Sequence, residues 1–276
     1  MTKRQRQKHQ LKGTLSRSLK RLFKDNKLCV LAFDIIDSDV EIQTMLEDSN
    51  RMAIDRMGFS DHGQTHSLIV SMNGLKLLNT LRFGLEPTIV QEGTGTFEDA
   101  QLIVLLSCYL HDIGMSIHRD RHNDFSIELV VPILNKILEK VYPRNLRKRT
   151  HVRGHILHAM YCHDKHVNPE TVEGGVVGIA DATDMTKGRA RIPFELGSVN
   201  IHSASAMSIE RVKIKKGEEK TVRIEVVMNN ASGIFQIQEL LERKIRSAAQ
   251  LVDHIELYVV MTQTEDRILR EEFRIL

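Results

Sequence analysis

Tryptophan is absent from this 276-residue chain and aromatic residues make up only 5% of it, so the core has to be built from leucine, isoleucine, valine and methionine. The three cysteines, Cys29, Cys108 and Cys162, are scattered without paired spacing. That excludes a disulfide framework and a thiolate zinc knuckle, and it points to a reducing compartment. No apolar stretch approaches the roughly 18 residues of a membrane-spanning helix, and no apolar segment of a secretion signal follows the N-terminus. The expectation is a cytoplasmic protein with no membrane partner. What remains is ordinary for a globular chain, with 41% hydrophobic and 27% charged residues.

The net charge of +3 conceals an asymmetry: residues 1–27 carry ten Lys and Arg against the single acid Asp25, a local charge of +9 that leaves −6 for the rest. A basic arm on an acidic body is suited to nucleic acid, a nucleotide or an acidic neighbour. No aromatic side chains interleave these cations, which weakens the nucleic-acid reading against that of a solvated tail.

From about Asp37 to Met207 the pattern is helical. Val40 to Met57 has helical periodicity, and Asp61 is placed to cap a helix running to about Arg82. A loop, GLEPTIVQEGTGTFED, separates it from an apolar helix over Phe97 to Asp112. Further helices are expected from Asn123 or Asp124 to Val141, kinked at Pro132, from Asn145 to Cys162, and from Val172 to Lys187. Gly174, Gly175 and Gly178 inside the last make sense if it packs very close to a neighbour. Then the period changes. Ile209–Lys215 and Thr221–Met228 alternate around KKGEEK as a hairpin, Gly233 to Ala249 is amphipathic, and Ile255–Met261 and Phe273–Leu276 read as strands. This gives a basic lead-in (1–37), a helical domain (38–204) and a small α+β domain (205–276) for oligomerisation or ligand sensing, with a homo-oligomer expected.

The chemistry concentrates in the helical part. In LLSCYLHDIGMS an apolar run ends in His111 and Asp112, and burying an imidazole and a carboxylate there costs several kcal/mol unless a partner satisfies them. A divalent metal satisfies both. His66 (in DHGQTHSLIV), His122 (in RHNDFSIELV), His163 (in HVRGHILHAMYCHD) and Asp181 (in GIADATDM) supply further nitrogen and oxygen donors suited to Mn, Fe, Co, Ni or Zn. Among the histidines of 151–163, helical spacing puts His163 with the apolar stripe of Val152, Ile156, Ala159 and Met160. His151, His155 and His158 fall on the flank, as surface residues or substrate contacts.

A His, an adjacent His-Asp pair and a distal Asp, all on helices, resemble the HD superfamily of metal-dependent phosphohydrolases over about residues 38–190, on the strength of DHGQTH, LHDIG and GIADATD. The resemblance implies an all-helical HD-domain bundle in which His66, His111, Asp112 and Asp181 hold a metal. In members with two metals, two more histidines lie between the pair and the distal Asp. His122 and His163 fit that role, with Asp112 bridging. One or two divalent metals per chain are therefore expected, Mg remaining possible. The implied activity is hydrolysis of a phosphate ester, of a nucleotide by preference, through in-line attack of a metal-bound hydroxide. The alternatives are a phosphomonoesterase on a small metabolite and a non-catalytic regulatory protein that keeps the metal site. HDKHVNP stands where the cyclic-dinucleotide branch has a Gly-Tyr-Pro loop, which argues against a cyclic-di-GMP substrate.

Around these ligands, Asp112, His62 and Lys165 are the expected catalytic residues. His62, one turn before His66, would protonate the leaving oxygen. Arg119, Arg189 and Arg191 are the expected phosphate contacts, with Arg121 nearby, and Asp184 is placed to support the ligands. The C-terminal part offers no catalytic grouping. Its GIFQIQELLERKI resembles the helix opening of small-molecule-sensing ferredoxin-like domains.

Overall fold

The computed structural model describes residues 3–189, 205–262 and 272–274. The fold is mainly α. In chain order the helices are α1 (Lys3–Leu22), α2 (Lys27–Ser38), α3 (Val40–Asn50), α4 (Gln64–Leu81), α5 (Thr88–Gln91), α6 (Phe97–Leu110), α7 (His122–Val141), α8 (Leu146–Tyr161) and α9 (Val172–Thr183). A four-stranded sheet follows: β1 (Ile209–Lys216), β2 (Val222–Met228), β3 (Ile255–Met261) and β4 (Glu272–Arg274).

Helix α6 is the axis of the molecule. Its sequence is apolar all round, and every residue from Asp99 to Leu110 is buried, as expected of a central helix. Each of its fully buried Leu, Ile and Val side chains contributes on the order of 1.5–3 kcal/mol. Its start is fixed by a capping box in which the backbone N–H of Thr96 donates to Asp99 Oδ2 at 2.8 Å. Asp99 also accepts from Lys148 Nζ at 2.8 Å and from the Tyr142 hydroxyl, tying α6 to the α7–α8 connection. Around α6 pack α2, α4, α8 and α9.

The basic N-terminal segment is itself helical. Leu19 and Phe23 are buried in the main core, and Asn26 caps α2 by accepting from Leu28 N–H and Cys29 N–H at 3.0 and 3.2 Å. From Lys12 to Lys27 the cations share their segment with Leu15, Leu19, Leu22 and Phe23, which pack on the core. Elsewhere the boundaries shift. Helix α3 continues through a π-helical turn (Arg51–Arg56), the expected loop after α4 contains the short α5, and α9 ends four residues before Lys187. Helix α4 begins at Gln64 with Gly63 as its cap, because Asp61 turns its Oδ1 back onto the Gly63 N–H at 2.9 Å.

In the sheet β1 runs antiparallel to β2, β2 parallel to β3, and β3 antiparallel to β4. The parallel pair is joined over a crossover helix, residues 234–247, whose middle turn is π-helical. With one crossover helix in a ββαββ order, the described residues do not have the β-α-β-β-α-β ferredoxin-like arrangement. Val222, Ile224 and Val226 on β2 face Ile255, Leu257 and Val259 on β3, and all belong to the same hydrophobic core as α4, α6 and α9. The crossover helix packs on α9. A Cβ on Gly175 would lie 2.7 Å from Leu251 Cδ1 and 3.1 Å from Ala248 Cβ, so the close neighbour implied by the α9 glycines is the C-terminal segment.

Candidate metal centre

Five backbone segments converge where α6 ends. The helix stops at Leu110, and Asp112 takes a non-helical conformation (φ −102°, ψ 7°) at the start of a 3₁₀ turn, Ile113–Ser116. That turn is held from two sides. Ser126 of α7 donates to His111 O at 2.6 Å and accepts from Gly114 N–H at 2.9 Å, and Ser49 of α3 donates to Asp112 O and Ile113 O at 3.2 Å. Gly114 is required because a Cβ there would sit 2.1 Å from His122 O and 2.4 Å from Ser126 N, both backbone atoms.

Each histidine in the centre has its Nδ1 engaged by an oxygen: His66 by Asp184 Oδ2 at 2.7 Å, His111 by Cys108 O at 2.9 Å, His122 by Arg119 O at 2.7 Å and His163 by Met160 O. With Nδ1 donating, every Nε2 is aimed inward, the usual device for orienting metal-ligating imidazoles. Asp112 lies between two such pairs. Its Oδ2 is 3.3 Å from His66 Nε2 and 3.2 Å from His111 Nε2, while its Oδ1 is 3.4 Å from His122 Nε2 and 3.6 Å from His163 Nε2. Asp181, in the last turn of α9, adds Oδ1 at 3.3 Å from His66 Nε2 and 3.7 Å from His111 Nε2. Ligand-to-ligand edges of this length match donors about 2.0–2.2 Å from a common ion. The groups His66–His111–Asp112 and Asp112–His122–His163 could each hold a metal ion. The donors are imidazole nitrogens and carboxylate oxygens, a set suited to a divalent transition metal.

The histidines and carboxylates of the centre stabilise one another's charged forms. Burial opposes charge on His66, but Asp112, Asp181 and Asp184 outweigh it and raise its pKa well above 6.5. His111 is lifted to about 9 against the same penalty by Asp112 and Asp181. Burial works to raise the two carboxylates, yet the histidines around them hold Asp112 and Asp181 well below the usual range. His163 is lowered, burial being the largest cause.

The centre forms one wall of a cavity of about 500 Å³. His62 lines it. This histidine is buried, its ring centroid lies 5.7 Å from that of His66, and its Nδ1 is held by Ser60 O at 2.7 Å. It sits in the loop before α4, not one helical turn below His66. Burial lowers its pKa to about 3. In the neutral state that burial favours, its Nε2 offers a lone pair. Arg189 lines the cavity with Nη2 3.4 Å from His66 Nε2 and Nη1 3.8 Å from Asp181 Oδ1, steadied by donation to Asp61 O and Asp184 O at 3.1 Å. Arg119 lines it too, its guanidinium 4.3 Å from the centroid of Phe59, and Lys165 stands at its edge. Arg121 does not join them. It pairs with Asp124 at 2.8 Å and lies outside the lining. Arg191 lies outside the described residues. His155 pairs with Glu92 at 3.1 Å and His158 accepts from Glu170 N–H at 3.2 Å, on the flank as expected and away from the cavity.

Sequence reasoning missed a further part of the lining. Gln236, Glu239, Leu240, Arg243 and Lys244 of the crossover helix line the same cavity. Nothing in their local sequence marks them; the only signal was the run of small residues on α9 that lets this helix approach.

This geometry agrees with what comparison with known proteins finds. The family model of the HD domain matches residues 63–186, a stretch containing every one of the converging histidines and aspartates. The chain belongs to the HD domain family. An uncharacterized protein of Methanocaldococcus jannaschii is 46% identical to it over 217 residues, which cover 78% of this chain and 83% of that protein. No solved structure gives a significant match. The family consists in general of metal-dependent hydrolases, and the HD domain here carries the helical bundle and the His/Asp clusters that such chemistry needs. Among the described residues no helix is long and apolar enough to cross a membrane.

Proposed function

We propose that this protein is a metal-dependent phosphohydrolase with two metal sites per chain. In this reading His66, His111, Asp112 and Asp181 hold one ion, Asp112, His122 and His163 hold the other, and Asp112 bridges. The observation that carries it is the division of the Asp112 carboxylate, one oxygen facing His66 and His111 and the other facing His122 and His163. Bound divalent ions would supply Lewis-acid neutralisation of phosphoryl charge and an activated water at neutral pH.

The remaining roles belong to the chain's own side chains. Arg189, already fixed by two backbone carbonyls, presents its guanidinium beside the centre, where a fork of N–H donors suits phosphate oxygens. His62 accepts a hydrogen bond at Nε2 from a water or substrate hydroxyl. Lys165 and Arg119 draw an anion into the cavity mouth. The stacked pair Phe59 and Arg119 offers a flat face to an aromatic base, and this supports a nucleotide as the esterified group.

Elemental mass spectrometry of untagged protein tests the metal reading, about two metals per chain being expected. Nucleotide and simple-sugar phosphoesters, as monoesters and diesters, test the activity with Mn, Fe, Co, Ni, Zn or Mg supplied. Turnover of nucleotide substrates that is lost in Asp112→Ala is the expected result. Absence of any turnover across that panel would sink the hydrolase reading and leave a metal-holding binding protein.

A further inference from the structure

Lys244 reaches the HD centre from outside the HD domain. Its stem crosses α9 at Gly178, where a Cβ would lie 3.6 Å from Lys244 Cδ and 3.7 Å from Nζ, so any longer side chain would stand in its path. Its Nζ donates to His163 O, the carbonyl of a candidate ligand. That bond uses one of the three ammonium donors. Among the described residues no carboxylate comes within ion-pair distance of this half-buried cation, although Asp181 and Asp164 act on it from further off. Leaving such a charge unpaired is costly. Arg243, exposed and lining the same cavity, sits next to it.

We infer that Lys244, with Arg243 beside it, forms an anion subsite on the part of the cavity lining that the crossover helix contributes, and that this subsite takes a non-bridging phosphate oxygen of the substrate. The C-terminal segment is then part of the binding site, which the HD helices alone leave incomplete. The alternative is that Lys244 only fastens the end of α8 to the crossover helix. Such a role would tie it to the fold and to His163, not to anions.

The inference rests on the phosphohydrolase reading, so the probe is inorganic phosphate, whose binding does not depend on turnover. Calorimetric titration of phosphate into metal-loaded full-length protein is compared for wild type, Lys244→Met, Lys244→Arg and Arg243→Gln, with metal content measured on each. Removing one charged hydrogen-bond donor is expected to weaken phosphate about ten- to a hundredfold in Lys244→Met. Metal content should stay unchanged, and Lys244→Arg should remain within about threefold of wild type. Arg243→Gln, an exposed position, should weaken phosphate about threefold or more and decides the matter if Lys244→Met does not fold. Unchanged phosphate affinity in a folded Lys244→Met, or in Arg243→Gln should the former not fold, overturns the subsite. So does failure of the wild type to bind phosphate. Binding that follows these expectations without any turnover would instead overturn the hydrolase reading and keep the subsite.

Discussion

His66 Nδ1 and Asp184 Oδ2 lie 2.7 Å apart, both buried, across 118 residues of sequence. The carboxylate holds the ring so that Nε2 points at Asp112 and Asp181, and it raises the basicity of that nitrogen. Asp184 is itself placed by capping α9, its N–H donating to Asp181 O at 3.0 Å.

Asp184→Asn keeps the shape but removes the charge. Metal affinity is expected to fall about ten- to a hundredfold, with the folded spectrum retained. Competition against a chelator of known affinity measures this, and an unchanged dissociation constant would show that Asp184 only caps the helix.

Metal uptake should release protons. In metal-free protein His111 has its pKa raised to about 9 from 6.5, so it is charged at pH 7 and has to lose its proton to become a ligand. Apparent metal affinity therefore rises with pH up to about 9. The stability effect has a definite sign. A raised folded-state pKa contributes fully below pH 6.5, and that contribution is lost as pH rises through about 9. The depressed Asp112 and Asp181 contribute above the ordinary carboxylate range, and their contribution is lost as pH falls below it. Chelated protein should lose on the order of 5 °C of Tm between pH 7 and 10, while loaded protein should not. Parallel curves for the two forms would contradict this.

Gly114→Ala tests the turn. The added methyl would meet two backbone atoms of α7, which cannot move aside as a side-chain tip can. A destabilisation of roughly 1–3 kcal/mol or more is expected, together with preferential loss of one of the two metals, because His122 is the residue displaced. Denaturant unfolding and elemental analysis read the two effects. A variant as stable as wild type with both metals bound would mean that the contact between the 3₁₀ turn and α7 is softer than its distances imply.

Much of this was legible without coordinates. The all-apolar α6 ending in His111-Asp112, the spacing that set His163 apart from His151, His155 and His158, and the change of period near residue 209 are short-range patterns. Local propensity and burial impose them. Other features were hidden. The N-terminal cations obscured the few apolar positions, Leu19 and Phe23, that seat the first segment in the core. The Asx turn of Asp61 displaced the start of α4 and with it the expected placement of His62.

The sequence by itself determined the candidate donors and most of the helices that carry them, because residue chemistry and helical period are written locally. Only the tertiary structure decided which oxygen of Asp112 serves which histidine pair, that Asp184 backs His66, and that Lys244 enters across Gly178. Most of these relationships join residues far apart in sequence, His66 and Asp184 by 118 positions. They arise from how the helices pack around α6 and how closely the C-terminal segment approaches α9, a property of the assembled core that no single stretch of chain contains.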